Sequence, residues 1–176
     1  MSKQKLSQFH VGVAAEAFVA AQFARCGFDV SVQYGANQPE YDLIVAKEDK
    51  MMKVSVKGSQ DGGWGLTMSH IKNADYHKAA DDWLQKHGNK TVFALVQFKD
   101  VSINELPLLY LALPKEIAKE LKLSRNNLGD TVLRVHHVWG KTSPAYGTVD
   151  KIPAEWAFTS DRIEHLLEQI NNCIHA

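Results

Sequence analysis

The residues with the clearest potential for chemistry are Asp42, Ser55 and Lys57, which lie in one stretch, 41–57. Two runs rich in Val, Ile, Leu and Met flank a short charged segment, a pattern that predicts two β-strands and a turn. With the turn centred on Glu48–Asp49, an antiparallel register sets Asp42 across from Ser55, with Lys57 on the diagonal. Directly opposed Cβ atoms lie about 5 Å apart and diagonal ones about 7–8 Å. A carboxylate, a hydroxyl and an ammonium group are therefore expected on one patch.

Two interpretations of this patch remain open. The opposite face of the hairpin is apolar and can pack into a core, since Leu43 and Val45 alternate on the first strand and Met52, Val54 and Val56 on the second. The polar face is then either a chemical site or a solvated surface. On a solvated surface the Asp–Lys pair would contribute about 0–1 kcal/mol.

A second carboxylate, Glu16, comes from a predicted helix. Residues 6–26 are rich in Ala, Phe and Val and contain no Pro, and Gly27 follows as a plausible C-cap. Glu16 is the only acidic residue of this segment, and at helical spacing it shares a stripe with Val19 and Phe23. A carboxylate among apolar neighbours is costly without a partner. Glu16 therefore either points to water from a broad helix face or lies at the core rim, aimed at a charged site.

The remaining segments predict the elements that must position these residues. They are a strand at 28–34, a loop at 35–39, a glycine-rich loop at 58–65, a helix at 69–87 that starts at Ser69 and ends at Gly88–Asn89, strands at 91–98 and 106–113, a helix at 114–121, a strand at 132–139 and a helix at 160–174. Both apolar strands, 91–98 and 106–113, are typical of the middle of a sheet. This order favours an α/β protein with a mixed sheet.

Length and composition favour one soluble domain over residues 1–176. The chain has 45% hydrophobic and 23% charged residues and a formal net charge of zero, which argues against a protein coated in basic charge. Cys26 and Cys173 lack metal-ligand spacing and indicate a reducing cytoplasm. No apolar segment resembles a signal peptide or a membrane span.

The element order and motif residues resemble the restriction-endonuclease-like, or PD-(D/E)XK, nuclease superfamily. Members carry an Asp on the second core strand, a Glu or Gln and a Lys on the third, and in many cases a Glu on the first helix. Pro39-Glu-Tyr-Asp42 matches the first part, Ser55-Val-Lys57 the second, and Glu16 the helix carboxylate. The resemblance covers an αβββαβ core at about 6–98. Residues 100–176 are additions that complete the sheet, form a homodimer contact or bind a partner.

The resemblance implies a metal-dependent nuclease site. Asp42 would be the central ligand of Mg²⁺ or Mn²⁺, with the backbone carbonyl of Val56 as a second ligand, and Glu16 would bind the metal or its water. Lys57 would orient the attacking water and offset charge in the transition state.

Ser55 departs from the family pattern, because serine is neutral and short and binds a metal poorly. Asp75 on the next helix or Asp61 in the loop could supply the missing carboxylate, or Glu16 could compensate.

Five residues around this site are candidates for nucleic-acid contacts: Lys53, Ser59, Gln60, Trp64 and Lys72. Contacts to phosphate would position the substrate. Trp64 is either a lid over the core or an aromatic surface for a base or ribose.

The leading hypothesis is a divalent-metal-dependent endonuclease that hydrolyses DNA. The alternative is an inactive protein of the same fold that binds nucleic acid or another protein, with Ser55 marking a decayed site. A third hypothesis is an unrelated α/β protein with a surface ion pair.

Overall fold

A five-stranded mixed sheet covered by helices on both faces forms the centre of the computed structural model, which describes residues 5–33, 40–87 and 91–172. The helices are α1 (Gln8–Arg25), α2 (Tyr76–Lys86), α3 (Pro114–Asn127) and α4 (Ser160–Asn172). The strands are β1 (Asp29–Val32), β2 (Leu43–Lys47), β3 (Lys50–Ser59), β4 (Gly63–Gly65), β5 (Thr91–Gln97), β6 (Leu108–Ala112), β7 (Val132–Arg134), β8 (His136–Val138) and β9 (Val149–Lys151). The predicted α/β class and the αβββαβ order are confirmed.

The strand order of the main sheet is β1-β2-β3-β5-β6. Only β3 and β5 run parallel, and the connection between them contains α2. The strand pairs β4–β7 and β8–β9 form two small separate sheets. The predicted loop 35–39, the helix end at Gly88–Asn89 and Cys173 lie outside the described residues.

Two apolar cores lie on opposite faces of the main sheet. The first joins α1 and α4 to the sheet, and its fully buried members include Phe23, Leu43 and Leu166. The second joins α2 and α3 to the other face around Trp83 and Phe93. Burial on both faces explains why β5 is buried at every position, as its continuous apolar run predicts.

The β2–β3 hairpin has the predicted register. Leu43 lies opposite Val54 and Lys47 opposite Lys50, which places the turn at Glu48–Asp49. The apolar face of the hairpin enters the first core, as expected from the alternation of its residues. The register that directs Asp42 and Lys57 toward one patch is therefore built into the hairpin.

The second helix begins later than predicted. Residues Met68–His70 form a 3-10 turn, and the α-helix starts at Tyr76 with Asp75, not Ser69, as its N-cap. Asn73 and Ala74 adopt positive φ angles of 51° and 58°, which interrupt a continuous helix. The predicted helix at 69–87 was too long at its N-terminal end for this reason.

Three predictions about strands were wrong. The glycine-rich segment 58–65 is not a loop throughout, because β3 extends to Ser59 and Gly63–Gly65 pairs with β7. The strand at 106–113 is an edge strand rather than a central one. The strand at 132–139 is divided at Val135 between two different sheets.

No helix in the described ranges is both long enough and apolar enough to span a membrane.

Candidate active site

Asp42 lies one residue before β2, where the hairpin ladder ends. Its backbone N–H donates to the Val54 carbonyl at 2.9 Å, and its Oδ2 accepts the Val56 N–H at 2.6 Å. The backbone and side chain of Asp42 thus bind the residues on either side of Ser55. A carboxylate held by a charge-assisted hydrogen bond of this length has a fixed direction.

The Val56 carbonyl faces the same side of β3 as Asp42. The N–H and C=O groups of one residue in an extended strand point to the same neighbouring strand. Since the Val56 N–H donates to Asp42, the Val56 C=O is also directed toward the end of β2. The carbonyl oxygen of Val56 is thus directed to the same edge of β3 as the group that holds the carboxylate, and its role as a metal ligand stays a prediction.

Gly58 lets α1 approach the same end of β3. A Cβ atom at Gly58 would lie 2.8 Å from the Val11 carbonyl oxygen and 3.0 Å from the Ala15 Cβ, so only glycine fits this contact. Ala15 is the residue before Glu16, and Lys57 is the residue before Gly58. The helix–strand contact therefore positions Glu16 relative to Lys57.

The pKa of Glu16 is affected by burial and by two charged neighbours. The pKa of the Glu16 carboxyl is raised above its usual value, first by burial and then by the negative charge of Asp42, while the positive charge of Lys57 opposes the shift. Glu16 is half-buried rather than directed fully to water. The charges of Asp42, just before β2, and of Lys57, on β3, therefore both reach the carboxyl group of Glu16 on α1.

Ser55 and Lys57 differ in their access to solvent. The Ser55 side chain is buried with 3% of its surface exposed, whereas Lys57 is exposed. The Lys57 carbonyl accepts the indole N–H of Trp64 at 2.9 Å, which anchors the backbone beneath its side chain. The arrangement can hold a cationic side chain next to two acids at the surface.

The candidate donors for a metal would be the carboxylates of Asp42 and Glu16 and the carbonyl of Val56. Within residues 5–33, 40–87 and 91–172, no three His, Cys, Asp or Glu side chains come together as a ligand group. The two proposed sources of a third carboxylate are engaged elsewhere, since Asp61 pairs with Lys5 at 3.2 Å and Asp75 caps α2. Oxygen donors of this kind fit Mg²⁺, which commonly binds one or two carboxylates and keeps several waters.

The five predicted nucleic-acid contacts occupy different environments. Lys53 and Lys72 are exposed, and the Lys53 ammonium lies 4.8 Å from the Tyr41 ring centroid. Gln60 makes two hydrogen bonds to the backbone of Leu6, at 2.7 and 3.0 Å. Only the two lysines have the access that contact with a phosphate requires.

Trp64 and Ser59 are structural residues in this fold. Trp64 is 3% exposed and packs edge-to-face against Tyr110 in the second core, so it is the lid over the core and not an aromatic surface. Ser59 is buried, and its hydroxyl donates to the Gly63 carbonyl at 2.6 Å. Both side chains are therefore too buried to contact a nucleic acid.

Sequence reasoning missed the neighbourhood of His87. Its ring packs 4.4 Å from Trp83 and 5.1 Å from Phe93, measured between centroids. Burial lowers the pKa of His87, an effect that Glu40 opposes and Lys57 reinforces, so these charged groups lie near the same patch. The local sequence does not predict that His87 lies near Glu40 and Lys57, because only tertiary packing brings the end of α2 close to them.

The fold and its site geometry can be compared with known proteins. The sequence matches no protein-family model and no curated protein. Among solved structures, the chain is similar in fold to a bacterial homing endonuclease, with a TM-score of 0.51 and 14% sequence identity. The similarity covers 97% of this chain and 99% of the other. It therefore includes the C-terminal additions as well as the predicted core, and it shows that the two chains share a fold.

Proposed function

We propose that this protein is a divalent-metal-dependent endonuclease that hydrolyses phosphodiester bonds of DNA. The observation that carries the proposal is the Asp42 carboxylate, which the Val56 N–H holds at 2.6 Å where the hairpin ladder ends. The charges of Asp42 and Lys57 also act on the carboxyl group of Glu16, which comes from a third element. The similar fold of a protein described as a homing endonuclease supports an endonuclease activity over other hydrolytic reactions. Fold similarity alone does not identify the chemistry, which is determined by the residues of the site.

Each residue has a distinct role in this proposal. Asp42, Glu16 and the Val56 carbonyl would hold Mg²⁺ or Mn²⁺, which would supply Lewis-acid stabilisation of the phosphate charge. Lys57 orients the attacking water and stabilises the negative charge that develops on the phosphate oxygens. The Val56 N–H keeps the Asp42 carboxylate aimed at the site. Lys53 and Lys72 contact phosphates on either side.

A second candidate function is a nucleic-acid-binding protein without catalysis. The observation that favours it is Ser55, a buried hydroxyl where the resembling family carries a carboxylate or carboxamide. With two carboxylates in place of three, metal affinity is lower, and a site that has lost catalysis could keep its DNA surface. Binding without cutting would support this alternative.

The deciding experiment is nicking of supercoiled plasmid in Mg²⁺ or Mn²⁺. The wild-type protein is expected to nick, and EDTA to abolish the reaction. Asp42→Asn and Lys57→Ala are each expected to lower the rate by a factor of about 10²–10³, as loss of one group that stabilises the transition state does. Asn keeps an oxygen that can accept the Val56 N–H, so Asp42→Asn tests the charge rather than the fold.

Matched controls lie at the opposite end of the same hairpin. Asp49→Asn and Lys50→Ala make the same charge changes at exposed positions, roughly 23 Å away along β3 at 3.3 Å per residue. Both controls are expected to nick at the wild-type rate. Nicking by the Asp42 and Lys57 variants at the wild-type rate would show that these residues do not form the active site.

A further inference from the structure

Strands β8 and β9 form a two-stranded ribbon that the proposed chemistry does not use. His136 lies opposite Lys151, and Val138 opposite Val149, in an antiparallel register. The segment between the strands closes the ribbon, with the Trp139 N–H bound to the Thr148 carbonyl at 3.0 Å. The ribbon is a separate sheet and adds nothing to the main one.

The outward face and the tip of the ribbon are exposed and positively charged. Val138 and Val149 are 56% and 52% exposed, and Tyr146 at the tip is 60% exposed. Lys141 and Lys151 are also exposed. The chain as a whole has no net charge, so two lysines among apolar and aromatic side chains make this a local basic surface.

The inward face holds the ribbon in place and takes up its only acidic residue. Asp150 accepts the Trp139 indole N–H at 2.8 Å and the Arg125 backbone N–H at 3.2 Å. The guanidinium groups of Arg125 and Arg134 each lie over the Trp139 ring, at 5.2 and 5.1 Å from its centroid. The acid is thus turned inward, and the ribbon is held to the turn that ends α3.

The root of the ribbon adjoins the segment that follows the candidate active site. Val135, between β7 and β8, donates to the Gly62 carbonyl at 3.0 Å, and Arg134 lies opposite Gly63. The adjacent Trp64 is bonded to the Lys57 carbonyl. The ribbon therefore extends from the part of the molecule that carries Lys57.

We infer that the β8–β9 ribbon is a contact surface for duplex DNA, with its outward face and tip entering the major groove. The major groove is about 12 Å wide and admits a two-stranded β-ribbon. Lys141 and Lys151 contact phosphates at the groove edges, while Tyr146 and the two valines approach the bases. This inference rests on the proposed function only in taking DNA as the substrate.

The test is binding of a fluorescently labelled duplex in EDTA, followed by anisotropy over a range of salt concentrations. EDTA separates binding from the metal chemistry. Lys141→Ala/Lys151→Ala is expected to weaken binding at least about tenfold and to lower the slope of log K against log salt by about 2. Lys50→Ala, which removes an exposed lysine at the far end of β3, is expected to leave binding unchanged.

Tryptophan fluorescence provides a second, local readout. Trp64, Trp83 and Trp156 are 3–4% exposed, whereas Trp139 is half-buried on the inward side of the ribbon, next to its tip. Duplex DNA is expected to change the emission of the wild-type protein, and Trp139→Phe to remove that change.

The outcomes separate this inference from the proposed chemistry. Ribbon variants that bind as tightly as Lys50→Ala, or a wild-type protein that binds no duplex, would overturn the inference, even if DNA were cut. If the Lys141→Ala/Lys151→Ala variant binds more weakly but the wild-type protein does not cut DNA, the inference about the ribbon stands and the nuclease proposal is wrong.

Discussion

The direction of the Asp42 carboxylate depends on one hydrogen bond. Asp42 Oδ2 accepts the Val56 N–H, which fixes where the second oxygen points. The same residue, Val56, directs its carbonyl to that side of the strand. An alternating strand sequence predicts which side chains share a face, but it does not reveal that a side chain replaces a backbone group at the end of a ladder. Candidate residues for the site could therefore be proposed from the sequence, but the hydrogen bond between Asp42 and Val56 could not.

The ionised Glu16 side chain is expected to lower the free energy of unfolding, although it is needed for the proposed activity. A carboxyl whose pKa is higher in the folded than in the unfolded protein contributes stability at low pH that is lost as the pH rises through the folded pKa. The pKa of Glu16 is raised by burial and by Asp42. We therefore expect Glu16→Gln, in EDTA at pH 8, to unfold at a higher urea concentration than the wild type, with the difference vanishing near pH 4. Nicking is expected to fall.

The control for Glu16→Gln is Glu164→Gln on the exposed side of α4. It is expected to leave the free energy of unfolding within about 0.5 kcal/mol of the wild-type value at both pH values. A Glu16→Gln protein that is less stable than the wild type at pH 8 would mean that Glu16 has a stabilising partner, and its proposed role as a metal ligand would lose support.

At the scale of elements, the close contact between α1 and β3 determines where α1 places Glu16. Gly58→Ala would place a Cβ against the α1 backbone, 2.8 Å from the Val11 carbonyl oxygen. We expect it to destabilise the protein by about 1–3 kcal/mol and to reduce nicking, because α1 must move and Glu16 moves with it. Urea unfolding and plasmid nicking measure the two effects.

Gly12→Ala is the matched control on the same helix. No atom lies within 4 Å of a Cβ at Gly12, and alanine is favoured over glycine in a helix interior by about 0.5–1 kcal/mol. We expect this variant to be slightly more stable and to nick normally. If Gly58→Ala behaved in the same way, the close contact would not position Glu16.

Element identity was predictable where local pattern and tertiary packing agree. The hairpin and β5 have strong period-two or continuous apolar patterns, and both are confirmed. Helix α2 starts late because the backbone at Asn73–Ala74 adopts positive φ, for which neither residue gives a strong signal. The division of 132–139 between two sheets depends on β4, which is distant in sequence, and on β9, which the segment 139–148 joins to β8. Short strands of this kind are specified by their partners more than by their own residues.

At the scale of the whole molecule, α4 fastens the C-terminal additions to the central sheet. Arg162 is 6% exposed, donates to the Leu111 carbonyl at 3.1 Å and pairs with Glu116 at 2.6 Å. The side chain thus joins α4, β6 and the start of α3. The sequence alone left three roles open for residues 100–176 and did not reveal this contact, because it spans 46 to 51 positions along the chain.

Removing Arg162 is therefore expected to destabilise the whole protein. Arg162→Ala leaves Glu116 without its partner, and loss of one member of a buried pair costs about 3–5 kcal/mol. Arg162→Met, which keeps the apolar part of the side chain, is expected to cost less. Urea unfolding measures both. A loss below about 1 kcal/mol for Arg162→Ala would show that α4 docks mainly through the apolar side chains of the first core.

The central claim is that Asp42 and Glu16 form a site for a divalent cation. The most direct test is isothermal titration of Mn²⁺ into the metal-free protein, without DNA, for the wild type, Asp42→Asn and Asp49→Asn. The account predicts one binding event in the wild type and in Asp49→Asn, and its loss in Asp42→Asn. Absence of binding in the wild type, or binding to Asp42→Asn with the wild-type affinity, would contradict it.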